Sequence, residues 1–496
     1  MRSLHSRPTP SARAPRRSCA IVLAAALTGS LWTGTAAGNA TAAAHVDDHD
    51  AEESTPLVIS AKRVIVRPGK VLENAKVVIE DGEIVAVGTD VKVPDGAQQL
   101  EGAVVCAGFH DAWSIAGVEG RSAAADRSNS AALAVDALDP YGQETTLQEL
   151  VEAGVLHART VIGSGSALGG IGAVIRAHAA EPLLDDAAMS ARLGLVRGGG
   201  SFVQVQNPDG SFTFRQEAPR LDPVERIGQI DKLVSELQSG EKYARDVAKY
   251  EADLAEWNES IADKEKELEE DFKKAKKARD KKVKDADEKG KEFKEKSYKE
   301  DKRPRAPKFD AEKAALARVA EGEIPLVVHA ERAVEIRELL RLTESLSRLR
   351  LVVAGGTSSL ACADALAERG VPVIVAPRPS DAGGPVGELD PGLSLAAELH
   401  ERGVEVLIGS GGRSARASRD LPHLAALAVG HGLDPDAALR AITLGPARVF
   451  DVAGHVGSVQ RGRKADLLVL SGDPLSSSTR VLAAISGGEV VHTAGE

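Results

Sequence analysis

Apolar and polar positions follow three different patterns along this chain of 496 residues. Between residues 56 and 107 the apolar runs are short and broken by turn residues, the spacing of small strands. KVVIEDGEIVAVG is the clearest unit: Val77, Val78 and Ile79 precede Asp81-Gly82, and Ile84, Val85 and Val87 follow. An Asp-Gly pair favours the positive φ angles of a tight turn, so this segment predicts a hairpin. The style returns near the far end. Residues 456–470 read as a turn and a buried strand, and 481–492 as a hairpin around Gly487-Gly488.

Between these ends, apolar strands alternate with alanine-rich helices. Strands are predicted over 157–162, 171–176, 325–329, 350–354, 371–376 and 404–409. Helices are predicted over 146–153, 331–347, 358–369, 392–402, 420–431 and 434–441. This alternation predicts a parallel α/β architecture, most simply a TIM-type β/α barrel over 108–454. The strands at both chain ends, 56–107 plus 455–496, then pack together as a small composite β domain.

Residues 222–320 interrupt the alternation. Most positions from Glu241 to Asp310 are charged, with acids and bases nearly balanced. Val247, Tyr250, Leu254, Trp257, Ile261 and Leu268 recur at heptad spacing. The segment predicts a charged, coiled-coil-like helical insertion within the barrel, with a tip near Gly290 and Pro304-Arg305-Ala306-Pro307. It is either a solvated helical hairpin or a docking arm. A docking arm would make a homodimer or hold a protein partner through 241–270, with Tyr243, Tyr250 and Trp257 as anchors.

The N-terminus reads as a targeting segment. Arg13, Arg16 and Arg17 precede an apolar stretch at 19–37, and Thr41-Ala42-Ala43-Ala44 supplies small residues for cleavage. Residues 1–44 are thus expected to be a signal peptide, with an uncleaved anchor as the alternative, and 45–55 an acidic linker. Export to the periplasm or cell envelope follows, with no membrane association after cleavage. The net charge of -11 argues against a nucleic-acid partner. Cys106 and Cys362 remain after cleavage and sit in apolar contexts, so buried free thiols are expected.

The chemistry is concentrated in residues 103–117, AVVCAGFHDAWSIAG. They resemble the first barrel strand of the amidohydrolase superfamily, in particular its imidazolonepropionase-like exported members. There an apolar run and Pro-Gly-aliphatic-Ile-Asp lead into x-His-x-His, and Gly108, Phe109 and Asp111 match. ALRAITLGPARVFDVAGHVGSVQRGRKADLLVLSGDPL resembles the superfamily's closing helix, Thr-x-x-Pro-Ala turn and Gly-x-x-Ala-Asp-Leu strand. The resemblance covers about residues 56–220 and 322–492. It implies a TIM-type barrel with a composite β domain, and one or two divalent metals, such as zinc, that activate water.

The ligand positions implied by the resemblance are mostly changed. Trp113 and Ile115 stand where the strand-one histidines belong. Indole offers only an N–H donor, and isoleucine has no lone pair. Arg176 stands at the expected bridging position on strand four, and a guanidinium stays protonated. His329 on strand five is retained. Strand six, 351–356, has no histidine, and Gly411 replaces the strand-eight aspartate. A catalytic zinc typically needs three protein ligands plus water. No metal is therefore expected, and zinc enters only if the site is rebuilt from other residues.

Candidates to refill the site are His110, His157, His178, Asp111, Asp381, Glu331, His423 and Arg413. His329 with Glu331 or Asp111 is the most direct acid/base set. The chain has no Gly-x-Ser-x-Gly elbow. The glycine-rich run 163–170 lacks the Lys-Ser/Thr of a phosphate loop and reads as a turn. Three functions follow. The first is a catalytically degenerate binding or assembly module with a small molecule in the barrel mouth. The second is a hydrolase of non-peptide C–N bonds with a rebuilt site. The third is an envelope scaffold acting through the insertion.

Overall fold

The computed structural model describes residues 55–118, 130–162, 168–194, 201–206, 212–217, 222–287, 303–356, 358–378 and 391–495. The side chains of 201–206, 212–217, 262–287 and 391 are not described. The signal segment, nearly all of the acidic linker, residues 163–167 of the glycine-rich run, the tip near Gly290, and Asp381 lie outside the described residues.

The chain opens with β1 (Leu57–Arg67), β2 (Lys70–Glu80), β3 (Glu83–Gly88) and β4 (Gln98–Ala107). Asp81 and Gly82 both have positive φ, 50° and 75°, which is what a tight turn between β2 and β3 requires. The barrel follows with β5 (Phe109–Ser114), α1 (Glu144–Glu152), β6 (Val155–Thr160), β7 (Leu168–Arg176) and β8 (Glu181–Arg192). Next come a separate hairpin of β9 (Ser201–Gln206) and β10 (Phe212–Glu217), then α2 (Pro223–Asp287) and α3 (Ala311–Ala320). β11 (Leu326–Ala330), α4 (Ala333–Leu342), β12 (Leu351–Gly355), α5 (Ala363–Glu368), β13 (Val373–Val375), α6 (Pro391–Glu401) and β14 (Val406–Ile408) continue the barrel. The chain ends with α7 (Leu421–Gly430), α8 (Pro435–Ala441), α9 (Leu444–Val449), β15 (Leu467–Leu470), β16 (Val481–Ser486) and β17 (Glu489–Thr493).

Both chain ends build one seven-stranded sheet, in the order β17-β16-β15-β4-β1-β2-β3. Its own core holds Ile59, Val64, Val77, Ile84, Val105, Leu467 and Ile485. The eight-stranded sheet runs β14-β13-β12-β11-β8-β7-β6-β5 and curls into a TIM-type barrel. Val327, Val352, Ala354, Ile374 and Leu407 pack into a core shared with Phe450 and Val452.

The seam between β14 and β5 is closed by hydrogen bonds at their ends rather than by a full ladder. Ser410 N–H donates to Asp111 Oδ1 at 2.9 Å, Gly412 N–H to the Trp113 carbonyl at 3.1 Å, and the Ser410 hydroxyl to the same carbonyl at 3.0 Å. A glycine is needed beside them: a Cβ on Gly409 would lie 2.9 Å from Trp113 N and 3.2 Å from Asp111 Oδ1.

The barrel departs from the all-parallel expectation at one strand. β7 pairs antiparallel with both β6 and β8, while the remaining barrel pairings are parallel. The cause is connection length. Only residues 161–167 and 177–180 separate these strands, too few for a crossover helix, so the chain must reverse. β8, absent from the predicted strands, thereby becomes the fourth barrel strand and pairs with β11.

The insertion begins as one long helix. α2 has 65 residues, roughly 100 Å at 1.5 Å per residue. Its base is buried through Ile230, Leu233, Val234 and Leu237, and Gly240 lies against the backbone of Leu316 on α3. Farther out, Tyr243, Val247, Tyr250, Leu254, Trp257 and Ile261 are half-buried. The returning chain, 303–310, carries no regular structure, and the Arg303 guanidinium sits 5.9 Å from the Trp257 ring centroid. Cys106 and Cys362 are buried and unpaired, and burial pushes the Cys106 thiol up to about 12.

Candidate functional site at the barrel mouth

Strand ends in a parallel barrel converge at the C-terminal face, where ligands bind. Here they line a cavity of about 140 Å³ bounded by Trp113, Ile115, Arg159, Val161, Ser190, Arg192, Val327, His329, Gly411 and Gly412, among others. The strand-one residues Trp113 and Ile115 and the strand-eight Gly411 line the mouth. Gly411 has φ of +82°, a backbone geometry that costs an aspartate.

His329 stands at the end of β11. Its Nε2 lies 2.9 Å from Glu331 Oε1, and its ring centroid is 5.0 Å from that of Trp113. The strand-six end makes room for this pair. A Cβ on Gly355 would fall 2.5 Å from Glu331 Oε1 and 3.0 Å from His329 Nε2. The structure therefore joins His329 to Glu331 but not to Asp111. Asp111 is fully buried, and its Oδ1 accepts the backbone N–H groups of Trp113 and Ser410 at 3.0 and 2.9 Å. Burial raises its pKa, against the opposing pull of the Ser410 and Ser418 hydroxyls and the two backbone donors. Its role is to tie the first barrel strand to the last.

Other candidates lie away from the mouth. Arg176 does not occupy a strand-four ligand position. Because β7 runs antiparallel, its C-terminal residue sits at the opposite face, with Nε 3.4 Å from Asp466 Oδ1 and Nη1 3.2 Å from Glu181. His110 and His157 begin their strands rather than end them, so they too belong to the opposite face. His157 Nε2 is 3.2 Å from Asp466 Oδ2, and Asp466 Oδ1 also accepts from the Ser486 hydroxyl and the Gly487 N–H. Burial opposes ionisation of Asp466, but contacts with His157, Arg176 and Gly487 outweigh it and hold the carboxyl well below its usual range. The aspartate of the Ala465-Asp466-Leu467 motif thus joins the β domain to the base of the barrel. His178 lies on the β7–β8 turn, His423 is exposed on α7, and Arg413 is exposed after β14.

Two mouth residues went unforeseen, Arg159 and Ser190. Arg159 is 1% exposed, and its Nη2 donates to Ser190 Oγ at 2.7 Å. Its guanidinium lies 5.1 Å from the Phe450 ring centroid, and its Nε–H meets no acceptor. Burial lowers its pKa to about 9, which leaves it charged at neutral pH. A signal existed: Val155, His157, Arg159 and Val161 share one face of an apolar strand, and a guanidinium there needs a reason.

The donor set does not fit a divalent metal. His329 is the one imidazole among the residues lining the mouth, Arg159 and Arg192 bring positive charge, and indole and isoleucine hold the strand-one positions. Among the described residues, no group of three His, Cys, Asp or Glu side chains could hold a metal ion.

The fold is a TIM-type barrel with a composite β domain. The sequence profile of the amidohydrolase family matches residues 125–493, and the chain belongs to that family. It is similar to the crystal structure of an amidohydrolase from Thermotoga maritima MSB8, with a TM-score of 0.62 and 21% identity. That match covers 88% of this chain and 100% of the other. It also resembles an adenine deaminase from Rubrobacter xylanophilus, 43% identical over 68 residues. The match spans 14% of this chain and only 11% of that relative's length.

Proposed function

We propose that this protein is an exported, catalytically degenerate member of the amidohydrolase family that acts as a binding or assembly module in the periplasm or cell envelope. The observation that carries this reading is Arg159: a buried guanidinium on the wall of the cavity where the family holds its metal. A fixed positive charge there repels a divalent cation, and the neighbouring ligand positions offer indole, alkyl and backbone in place of imidazole. Export rests on the basic and apolar N-terminal segment.

A second reading keeps catalysis. The His329–Glu331 contact at 2.9 Å is the geometry of an acid/base pair at the mouth. Turnover decides between the two. Purified protein is incubated with linear amides, lactams and amino-purines, and release of amine or ammonia is followed. The binding reading predicts no turnover above buffer. Turnover that His329→Ala abolishes would replace it with the hydrolase reading.

A third reading places the function in α2, whose 65 residues are buried at their base. Removing the distal arm would then abolish function in cells while the barrel stays folded. The same arm is the proposed homodimer or partner contact, through 241–270. A monomer in sedimentation at micromolar concentration would remove the dimer from consideration.

A further inference from the structure

Arg159 raises a question that the degenerate-site reading leaves open. A guanidinium withdrawn from water needs compensation, and an uncompensated buried charge is strongly destabilising. Among the described residues, no carboxylate lies within salt-bridge distance of it. Its contacts are a neutral hydroxyl, Ser190 Oγ at 2.7 Å, and the face of Phe450 at 5.1 Å. Its Nε–H is buried without an acceptor. The residue also lines the mouth cavity, so a ligand entering there can reach it. Arg192 stands exposed on the rim of the same cavity and adds positive charge at the entrance.

His329 also lines the cavity, and one side of the wall is apolar. Trp113, Ile115, Val161, Ile162 and Val327 face the same space. At about 140 Å³ the cavity is well below the roughly 300–1,000 Å³ of ordinary ligand pockets, so it suits a small molecule. A charged end beside an apolar wall selects an amphiphile.

We infer that the barrel mouth binds a short-chain monocarboxylate, its carboxylate on the Arg159 guanidinium beside the Ser190 hydroxyl and its alkyl chain against Trp113 and Ile115. A guanidinium matches a carboxylate through parallel N–H donors, and such charge-assisted bonds are strongest where water is excluded. In effect, the family's divalent cation is replaced by a fixed organic cation, and the site turns from polarising a bound group to holding an anion. This inference rests on the binding reading above, but it fails separately from it.

The test is calorimetric titration of the purified full-length protein with butyrate and with butyramide, its neutral isostere, at pH 7. Butyrate is expected to bind at least tenfold more tightly than butyramide. Arg159→Met should abolish butyrate binding. Ser190→Ala, which keeps the guanidinium and removes only its hydroxyl partner, should weaken it severalfold and gives a second, independent test. Equal affinity for the two isosteres, or no binding of butyrate by the wild-type protein, would overturn it. So would butyrate binding that Ser190→Ala and a folded Arg159→Met both leave unchanged. Amide turnover abolished by His329→Ala is a different result and strikes the binding reading itself.

Discussion

The Arg159 guanidinium donates to the Ser190 hydroxyl at 2.7 Å, linking the second and fourth barrel strands across the antiparallel third. The bond sits just below the mouth, and it is the one polar partner this buried cation has among the described residues. Its two ends respond differently to substitution. Ser190→Ala removes the acceptor and leaves the charge, which should cost about 1–3 kcal/mol. Arg159→Met removes the charge itself and should be neutral or stabilising by about 1–4 kcal/mol in the absence of ligand. Urea unfolding of the two variants checks this, and the opposite order would mean that the arginine is already compensated.

Asp466 should make stability depend on acid. Its folded pKa lies below the ordinary 3.8, so the stabilisation is fully present above that value and is lost as pH falls through the folded pKa. Asp466→Asn should therefore lose about 3–5 kcal/mol at pH 7, the cost of breaking a buried charged contact. The gap from wild type should narrow as pH drops below 3.8. Unfolding midpoints measured at pH 7 and near pH 3 test the sign. A gap that widens in acid would refute the role given to the His157 and Arg176 contacts.

Asp111 should behave as a seam residue. Asp111→Ala strands two buried backbone donors, those of Trp113 and Ser410, and should destabilise by about 2–5 kcal/mol. Asp111→Asn keeps an acceptor oxygen and removes a carboxyl that burial disfavours in its charged form, so it should lose clearly less. Thermal melts of both variants compare them directly. Equal losses would show that the charge, and not the acceptor, matters.

The long helix should divide at Gly240, where its backbone meets Leu316. Leu237→Ala, within the buried base, should cost about 2–5 kcal/mol. Replacing residues 241–305 with a short flexible linker should cost less, because none of the side chains described there belongs to the barrel core. Circular dichroism melts of the two proteins test the contrast.

The composite β domain and most barrel strands were legible because their apolar periodicity and turn chemistry agree with the fold. The Asp81-Gly82 turn and the run 326–330 are examples, and His329 was placed on its strand correctly. The failures have separate physical causes. β7 looks like any barrel strand, and its direction is set by the length of its connections, not by its composition. Reading it as parallel put Arg176 at the mouth, when reversal places it at the base beside Asp466. β8 was missed because Asp185 and Asp186 break its apolar pattern, and Ser190 went with it. Asp111 was read as chemistry because its neighbours are chemical in the family, but its Oδ1 accepts the two backbone N–H groups of the seam. Arg159 was in plain view in an apolar strand. Its importance depends on the cavity above it, which no local pattern reveals.

The most direct test of the central claim is metal content. Full-length protein is purified without chelator and analysed by plasma mass spectrometry, and then dialysed against an excess of zinc and analysed again. A mouth carrying Arg159, Arg192 and a single histidine should retain well under a tenth of an equivalent of zinc, iron, manganese or nickel in both samples. Its melting temperature should also be unmoved by chelator. A stoichiometric metal that His329→Ala removes would contradict the account, because it would place a divalent cation beside the guanidinium said to exclude it.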